Sequence, residues 1–202
     1  MFIFRNLWLF FLDFLETIAV SLAIFALVYL FLFQPHQVDG QSMEPNFHDK
    51  EYILTDKVSY KIREPNRGDV VVFHSPQDEK VDYIKRIIAV PGDEVMVKGG
   101  FMYLNGTKLT EPFINNPGQV VAGRFLREGQ AAEVPPEQYL VLGDNRLHSS
   151  DSREWGFVTK NAIIGRAFFR YWPIPAFGVI NTAEADFTIG AVKGAINSLD
   201  SR

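Results

Sequence analysis

The stretch DYIKRIIAVPGD, Asp82 to Asp93, runs from an apolar segment into a proline-glycine turn and carries two cations in its middle. Segments of this kind, rich in β-branched and aromatic residues and closed by a turn, form strands of roughly five to eight residues. Strand alternation puts Lys85 on one face with Ile87, and Arg86 on the other with Ile84 and Ile88. A Lys–Arg pair in a strand ordinarily marks an exposed edge. If Lys85 faces inward instead, desolvation disfavours its ammonium form and lowers its pKa from about 10.4. A neutral amine can then take a proton from a serine hydroxyl at neutral pH.

Working outward from this strand, the same pattern recurs. EYILTDKVSY (51–60), GDVVVFHS (68–75), DEVMVKGG (93–100), FMYLNGTKL (101–109), QYLVLGDN (138–145) and IIGRAFFRYW (163–172) each read as a strand. Gly99-Gly100 and Asn105-Gly106 are hairpin signals, because glycine tolerates positive φ. The fold class is therefore mainly β, closed or sandwiched so that few edges are left exposed. Residues 94–136 hold a hairpin and a looser stretch, and read as a small inserted subdomain within a β-rich unit spanning 35–179. Residues 180–202 form a C-terminal tail, weakly helical over TIGAVKGAINSL, with no assigned function.

The N-terminus is of a different kind. Thr17 to Phe33 carries no charge, and Leu7 to Leu12 extends the apolar character beyond Asp13 and Glu16. The uncharged core would span about 25 Å as a helix, against a hydrocarbon thickness of about 30 Å, and the preceding apolar turn supplies the remainder. A cleaved secretory signal has a shorter apolar region followed by small residues at the cut. Here Gln34-Pro35-His36 follows. Residues 1–34 therefore read as a single transmembrane anchor, with the N-terminus inside and the polar domain outside.

The chain of 202 residues has a net charge of -4, which provides no general basic surface, so nucleic acid is excluded as a partner. It has no cysteine, which removes disulfides, thiolate metal sites and a cysteine nucleophile together. No HExxH pattern or ligand cluster indicates a metal, and no cofactor signal is present. GQSMEPNF, Gly40 to Phe47, places a serine in a Gly/Pro-punctuated loop just after the span. A nucleophilic serine needs a base. Lys85 is one candidate, and spacing leaves a Ser42–His148–Asp triad open as well. LGDNRLHSSDSREWGFV, Leu142 to Val158, supplies a polar loop in which Asp144, Asp151, Arg146 and Arg153 can pair and fix the loop's shape.

Together these stretches resemble the boxes of type I signal peptidases, the membrane-bound leader peptidases of bacteria: GQSMEP, RGDVVVF (Arg67–Phe73), YIKRIIAVPGD (Tyr83–Asp93) and GDNRLHSSDSREWG (Gly143–Gly156), in order after an N-terminal span. The resemblance covers roughly residues 10–173. It implies Ser42 as nucleophile, Lys85 as general base and Ser149 as the hydroxyl that hydrogen-bonds the lysine amine. It also implies Asp144, Asn145, Arg146, Asp151 and Arg153 as residues shaping the core, with Asp151 and Arg153 ion-paired. Val38, Met43 and Ile84 are the expected walls of pockets for small side chains. The implied substrates are the signal peptides of exported preproteins. The implied partners are the lipid bilayer and an export translocon, at a plasma or photosynthetic membrane with the catalytic domain on the extracytoplasmic side. His148 stands where the family more commonly has asparagine. Gly40, as in other branches, stands where one branch has a second serine that donates to the oxyanion. Gly40 leaves the oxyanion to the Ser42 backbone N–H and one further donor. The competing readings are a dedicated Ser/Lys maturase or self-cleaving regulator, and a catalytically silent anchored module that binds peptides.

Overall fold

A computed structural model describes residues 2–116 and 118–180 of the chain. The expected helical tail lies outside the described residues. The described chain divides into two compact units, one up to Gln34 and one from Pro35 onward.

The first unit is a helix, α1 (Phe2–Leu32), of 31 residues. Within it Leu7–Ala26 is long and apolar enough to cross a membrane, a window shifted N-terminally from the uncharged core read in the sequence. Its large apolar side chains, from Leu7 and Phe10 to Phe25 and Phe31, are exposed around the whole helix. Apolarity on every side is the pattern of a helix solvated by lipid rather than packed on a core.

The second unit is built from strands β1 (Phe33–Gln37), β2 (Tyr52–Asp56), β3 (Val70–His74), β4 (Asp82–Ala89), β5 (Glu94–Lys98), β6 (Phe101–Leu104), β7 (Thr107–Lys108), β8 (Ala131–Glu133), β9 (Gln138–Leu142), β10 (Val158–Thr159), β11 (Ile163–Trp172) and β12 (Gly178–Val179). A one-turn helix, α2 (Ser59–Ile62), follows β2, and another, α3 (Ser152–Trp155), precedes β10. The larger sheet runs β1-β2-β11-β3-β4-β9-β10, with β12 beside β11, and the smaller runs β7-β6-β5-β8. The mainly β reading holds. Two stretches read as single strands divide: EYILTDKVSY turns into α2 after Asp56, and FMYLNGTKL folds back on itself at Asn105-Gly106. Asn105 (φ 52°) and Gly106 (φ 77°) both take left-handed conformations, as a two-residue hairpin turn requires.

All strands of the smaller sheet come from residues 94–133. Its inner face does not form a core of its own. Val95, Val97, Met102 and Leu104 pack in one cluster with Ile88, Ala89, Leu140 and Leu142 of the larger sheet. A second cluster gathers Val38, Met43, Phe47, Ile53, Val70, Val72 and Ala167 beneath the loop that carries Ser42. Each such side chain contributes about 1.5–3 kcal/mol by leaving water, so the loop rests on a packed floor.

β4 shows why the opening stretch matters. From Lys85 to Ala89 every residue is buried, on both faces. β3 pairs along its whole length with the first part of β4, Val70↔Arg86 to His74↔Asp82. The pairing of β4 with β9 covers only Arg86 to Ala89 and slips between Ile87 and Ala89. After Leu142 the β9 chain turns away at Gly143, so among the described residues the Asp82–Lys85 half of β4 has no paired strand on that side.

Candidate active site

The second cluster holds the Ser42 loop from below, and polar bonds hold it from the sides. Val38 N donates to Glu51 O (2.8 Å) and Lys50 N to Val38 O (2.7 Å), so the loop returns on itself. Gly40 N donates to Asp49 Oδ1 (2.7 Å). Gly40 sits at φ +84°, where a side chain would strain the backbone although a Cβ would meet nothing within 4 Å. Asn145 N donates to Ser42 O (3.0 Å) and Asn145 Nδ2 to Gln41 O (3.1 Å), strapping the loop after β9 onto the serine.

Lys85 reaches the same point from β4. Its Nζ lies 2.8 Å from Ser42 Oγ and 2.9 Å from Ile84 O. The side chain is 4% exposed. Burial pulls its pKa down from 10.5 to about 8, while the carboxylates of Asp151 and Asp144 act in the opposite direction. The inward placement of Lys85 is thus met, and the exposed edge pair is not what the fold contains. Among the described residues His148 makes no bond to Ser42; its backbone N–H donates to Asn145 O (3.1 Å).

The core-shaping residues surround this pair, with partners the sequence did not indicate. Asp151 accepts from Arg153 Nε (2.8 Å) and Nη2 (2.9 Å) and from Gly143 N (3.1 Å), while also capping α3 through Arg153 N. That ion pair was expected. Asp144 pairs with neither Arg146 nor Arg153. It takes a bidentate contact from Arg86, Nε to Oδ1 at 2.8 Å and Nη2 to Oδ2 at 2.6 Å, and a bond from Asn46 Nδ2 at 2.8 Å. Arg146 instead meets Glu111 of the inserted region, Nη2 to Oε1 at 2.6 Å, an ion pair without hydrogen-bond alignment. Burial raises the Glu111 carboxyl above the usual range, against the attraction of Arg146. Arg86 also donates to Gly68 O (3.0 Å) and lies over the Phe113 ring at 4.4 Å. Arg86, Glu111, Asn46 and Phe113 were therefore missed as site residues. Only Arg86 carried a signal, as a second cation inside an apolar strand.

Two expectations need correction. Ser149 Oγ is buried with no hydrogen-bond partner among the described residues, so the expected bond to the Lys85 amine is not formed. It sits against Gly143: a Cβ built there would come 2.2 Å from Ser149 Oγ and 2.4 Å from Ser42 O. Met43 does not wall a pocket. At 0% exposed it is part of the cluster beneath the loop, because a side chain following Ser42 points to the opposite side of the chain.

The dyad opens onto a cleft of about 290 Å³ whose lining includes Val38, Ile53, Val72, Ile84, Tyr83 and Ser150. Val38 and Ile84 are where they were expected. Its two walls run in the same direction: His36 faces Asp82 at 3.4 Å at one end, and Ser42 faces Lys85 at 2.8 Å at the other. Among the described residues no group of His, Asp and Glu is arranged to hold a metal ion.

A hydroxyl hydrogen-bonded to a buried, deprotonatable lysine, in a cleft of mixed polar and apolar lining, defines a serine hydrolase of the Ser/Lys class. The comparisons with known proteins make this particular. A family model described as signal peptidase, peptidase S26, matches residues 11–172. The chain is 37% identical over 181 residues to a probable signal peptidase I-2 of Synechocystis sp., covering 87% of this chain and 78% of that protein. It is 37% identical over 177 residues to signal peptidase IB of Staphylococcus aureus, covering 82% of this chain and 92% of that one. A crystallised signal peptidase I of Enterococcus faecalis V583 aligns at 31% identity and a TM-score of 0.44, over 52% of this chain and 97% of the other. The chain belongs to the signal peptidase family, peptidase S26.

Proposed function

We propose that this signal peptidase removes N-terminal signal peptides from preproteins through Ser42 and Lys85, and that the 2.8 Å contact between them is the observation that carries the reading. Neutral Lys85 takes the proton as Ser42 Oγ attacks the scissile carbonyl. The lysine then protonates the departing amine and later activates the water that releases the acyl group. The Ser42 backbone N–H and one further donor stabilise the oxyanion, single donors being worth about 3–4 kcal/mol in comparable enzymes. Asp144, Asn145, Arg146, Asp151 and Arg153 hold the dyad in register.

The residues before the cut lie extended along the free Asp82–Lys85 edge of β4 and add a strand to the sheet, so that alternate side chains enter the cleft. Val38 and Ile84 then limit those side chains to small ones. The catalytic unit is residues 35–179, with 94–136 inserted. Residues 1–34 anchor it in the bilayer, with the catalytic unit on the extracytoplasmic face of a plasma or photosynthetic membrane, near the export translocon where preproteins emerge.

The test is cleavage of a synthetic preprotein in liposomes by wild type, Ser42→Ala and Lys85→Ala. Each variant should lose cleavage while remaining folded and membrane-bound. Full activity of Lys85→Ala would move the base elsewhere, with His148 the next residue to replace.

A further inference from the structure

A second cavity, of about 250 Å³, lies on the other side of the Ser42 loop, and nothing above uses it. Its walls are Glu44, Asn145 and His148 from the catalytic loops and Ile114, Asn115 and Asn116 from the inserted region. Glu44 is two residues beyond Ser42, and Asn145 is bonded to the Ser42 carbonyl. In the first cleft both walls lead from His36 and Asp82 toward Ser42 and Lys85. A peptide that fills that cleft up to its cut therefore continues past Ser42 into the second cavity.

The outer wall is firmly placed. Phe113 O accepts from Asn46 Nδ2 (2.7 Å), and the Phe113 ring lies beneath the Arg86 guanidinium. Glu111 pairs with Arg146, with both side chains buried. These contacts tie residues 111–114 to the nucleophile loop and to the loop after β9, which gives the inserted region a role at the site. The lining is mostly amide and charged. Asp144 is neutralised by Arg86, and Arg146 by Glu111. The Glu44 and His148 side chains have no hydrogen bond or ion pair among the described residues, so Glu44 is the carboxylate left to meet a ligand.

Resting on the Ser42/Lys85 reading, we propose that this cavity is the leaving-side subsite, holding the first residues of the mature chain and favouring cationic over anionic side chains there through Glu44. After the cut it also faces the new α-ammonium group, whose charge Glu44 complements.

The experiment uses the full chain in detergent and three synthetic preproteins identical except for Lys, Gln or Glu at the second residue after the cut. The readout is the ratio of kcat/KM for the Lys peptide to that for the Glu peptide. A partly exposed ion pair predicts a ratio of up to about fivefold in wild type. Glu44→Gln should bring the ratio close to one, and His148→Glu, which adds a carboxylate to the same wall, should raise it above wild type. General damage to the site would not move a ratio in opposite directions. Equal cleavage of all three peptides by wild type, or an unchanged ratio in both variants, overturns the subsite alone. Wild type that cleaves none of the three overturns the Ser42/Lys85 reading and the subsite with it.

Discussion

Replacing Lys85 by methionine keeps most of the side-chain volume and removes the ionisable amine, so the variant isolates the cost of burying it. In the folded chain burial lowers the Lys85 pKa from 10.5 to about 8. Between these values the unfolded chain holds the proton and the folded chain does not, so stability rises with pH across that window. Below pH 8 both states are protonated, and the folded state carries the full penalty, about 3 kcal/mol at ~1.36 kcal/mol for each unit by which the pKa is lowered. By pH 10.5 most of it is gone. The Lys85→Met chain has no such dependence. Its stability relative to wild type should therefore fall by about 3 kcal/mol between pH 7 and pH 10.5, whatever constant offset comes from the lost bonds to Ser42 and Ile84. Urea unfolding of both proteins in detergent at the two pH values measures this difference, in which other titrating groups cancel. A difference that does not change with pH would refute the claim that Lys85 is held as a desolvated amine.

Further consequences follow from the same geometry. The acidic limb of kcat/KM should have its midpoint near pH 8, where the Lys85 amine loses its proton, and activity should rise through it. A midpoint near 6.5 would point to a histidine instead. Gly143→Ala should lower kcat at least ~10-fold while leaving the chain folded, because its Cβ would fall 2.4 Å from Ser42 O and 2.2 Å from Ser149 Oγ; steady-state kinetics and circular dichroism separate these effects. Arg86→Met leaves Asp144 buried without its bidentate partner and should cost about 3–5 kcal/mol in chemical unfolding. Met43→Ala should cost about 2–5 kcal/mol, as expected for a fully buried side chain; a neutral result would return Met43 to the pocket wall.

What could be read from the chain alone was whatever depends on local pattern. Val-, Ile- and Tyr-rich runs marked β3, β4, β9 and β11, and Asn105-Gly106 marked the turn between β6 and β7. The strands that escaped, β1, β8, β10 and β12, are two to five residues long and owe their state to a neighbour rather than to alternation. Ser42 and Lys85 were legible because their surroundings are unusual nearby in sequence: a serine in a glycine-proline loop and a lysine among isoleucines. The partners of Asp144 and Arg146 were not. Asp144 lies 58 residues from Arg86, and two arginines stand closer to it in sequence. The resemblance implied that Arg153 is taken by Asp151, but only the folded sheet shows that Arg146 is taken by Glu111. Met43 was misplaced for a related reason, since a loop sequence does not say which of its apolar residues turns under.

Labelling by a serine-directed acylating inhibitor, followed as a mass increase on the peptide containing residue 42 and repeated from pH 6 to pH 10, tests the pairing of hydroxyl and amine most directly. Wild type should acylate at Ser42 with a rate that climbs to a plateau through a midpoint near pH 8, and Lys85→Ala should show no such rise. Label on another residue, or a Lys85→Ala profile that matches wild type, would contradict it.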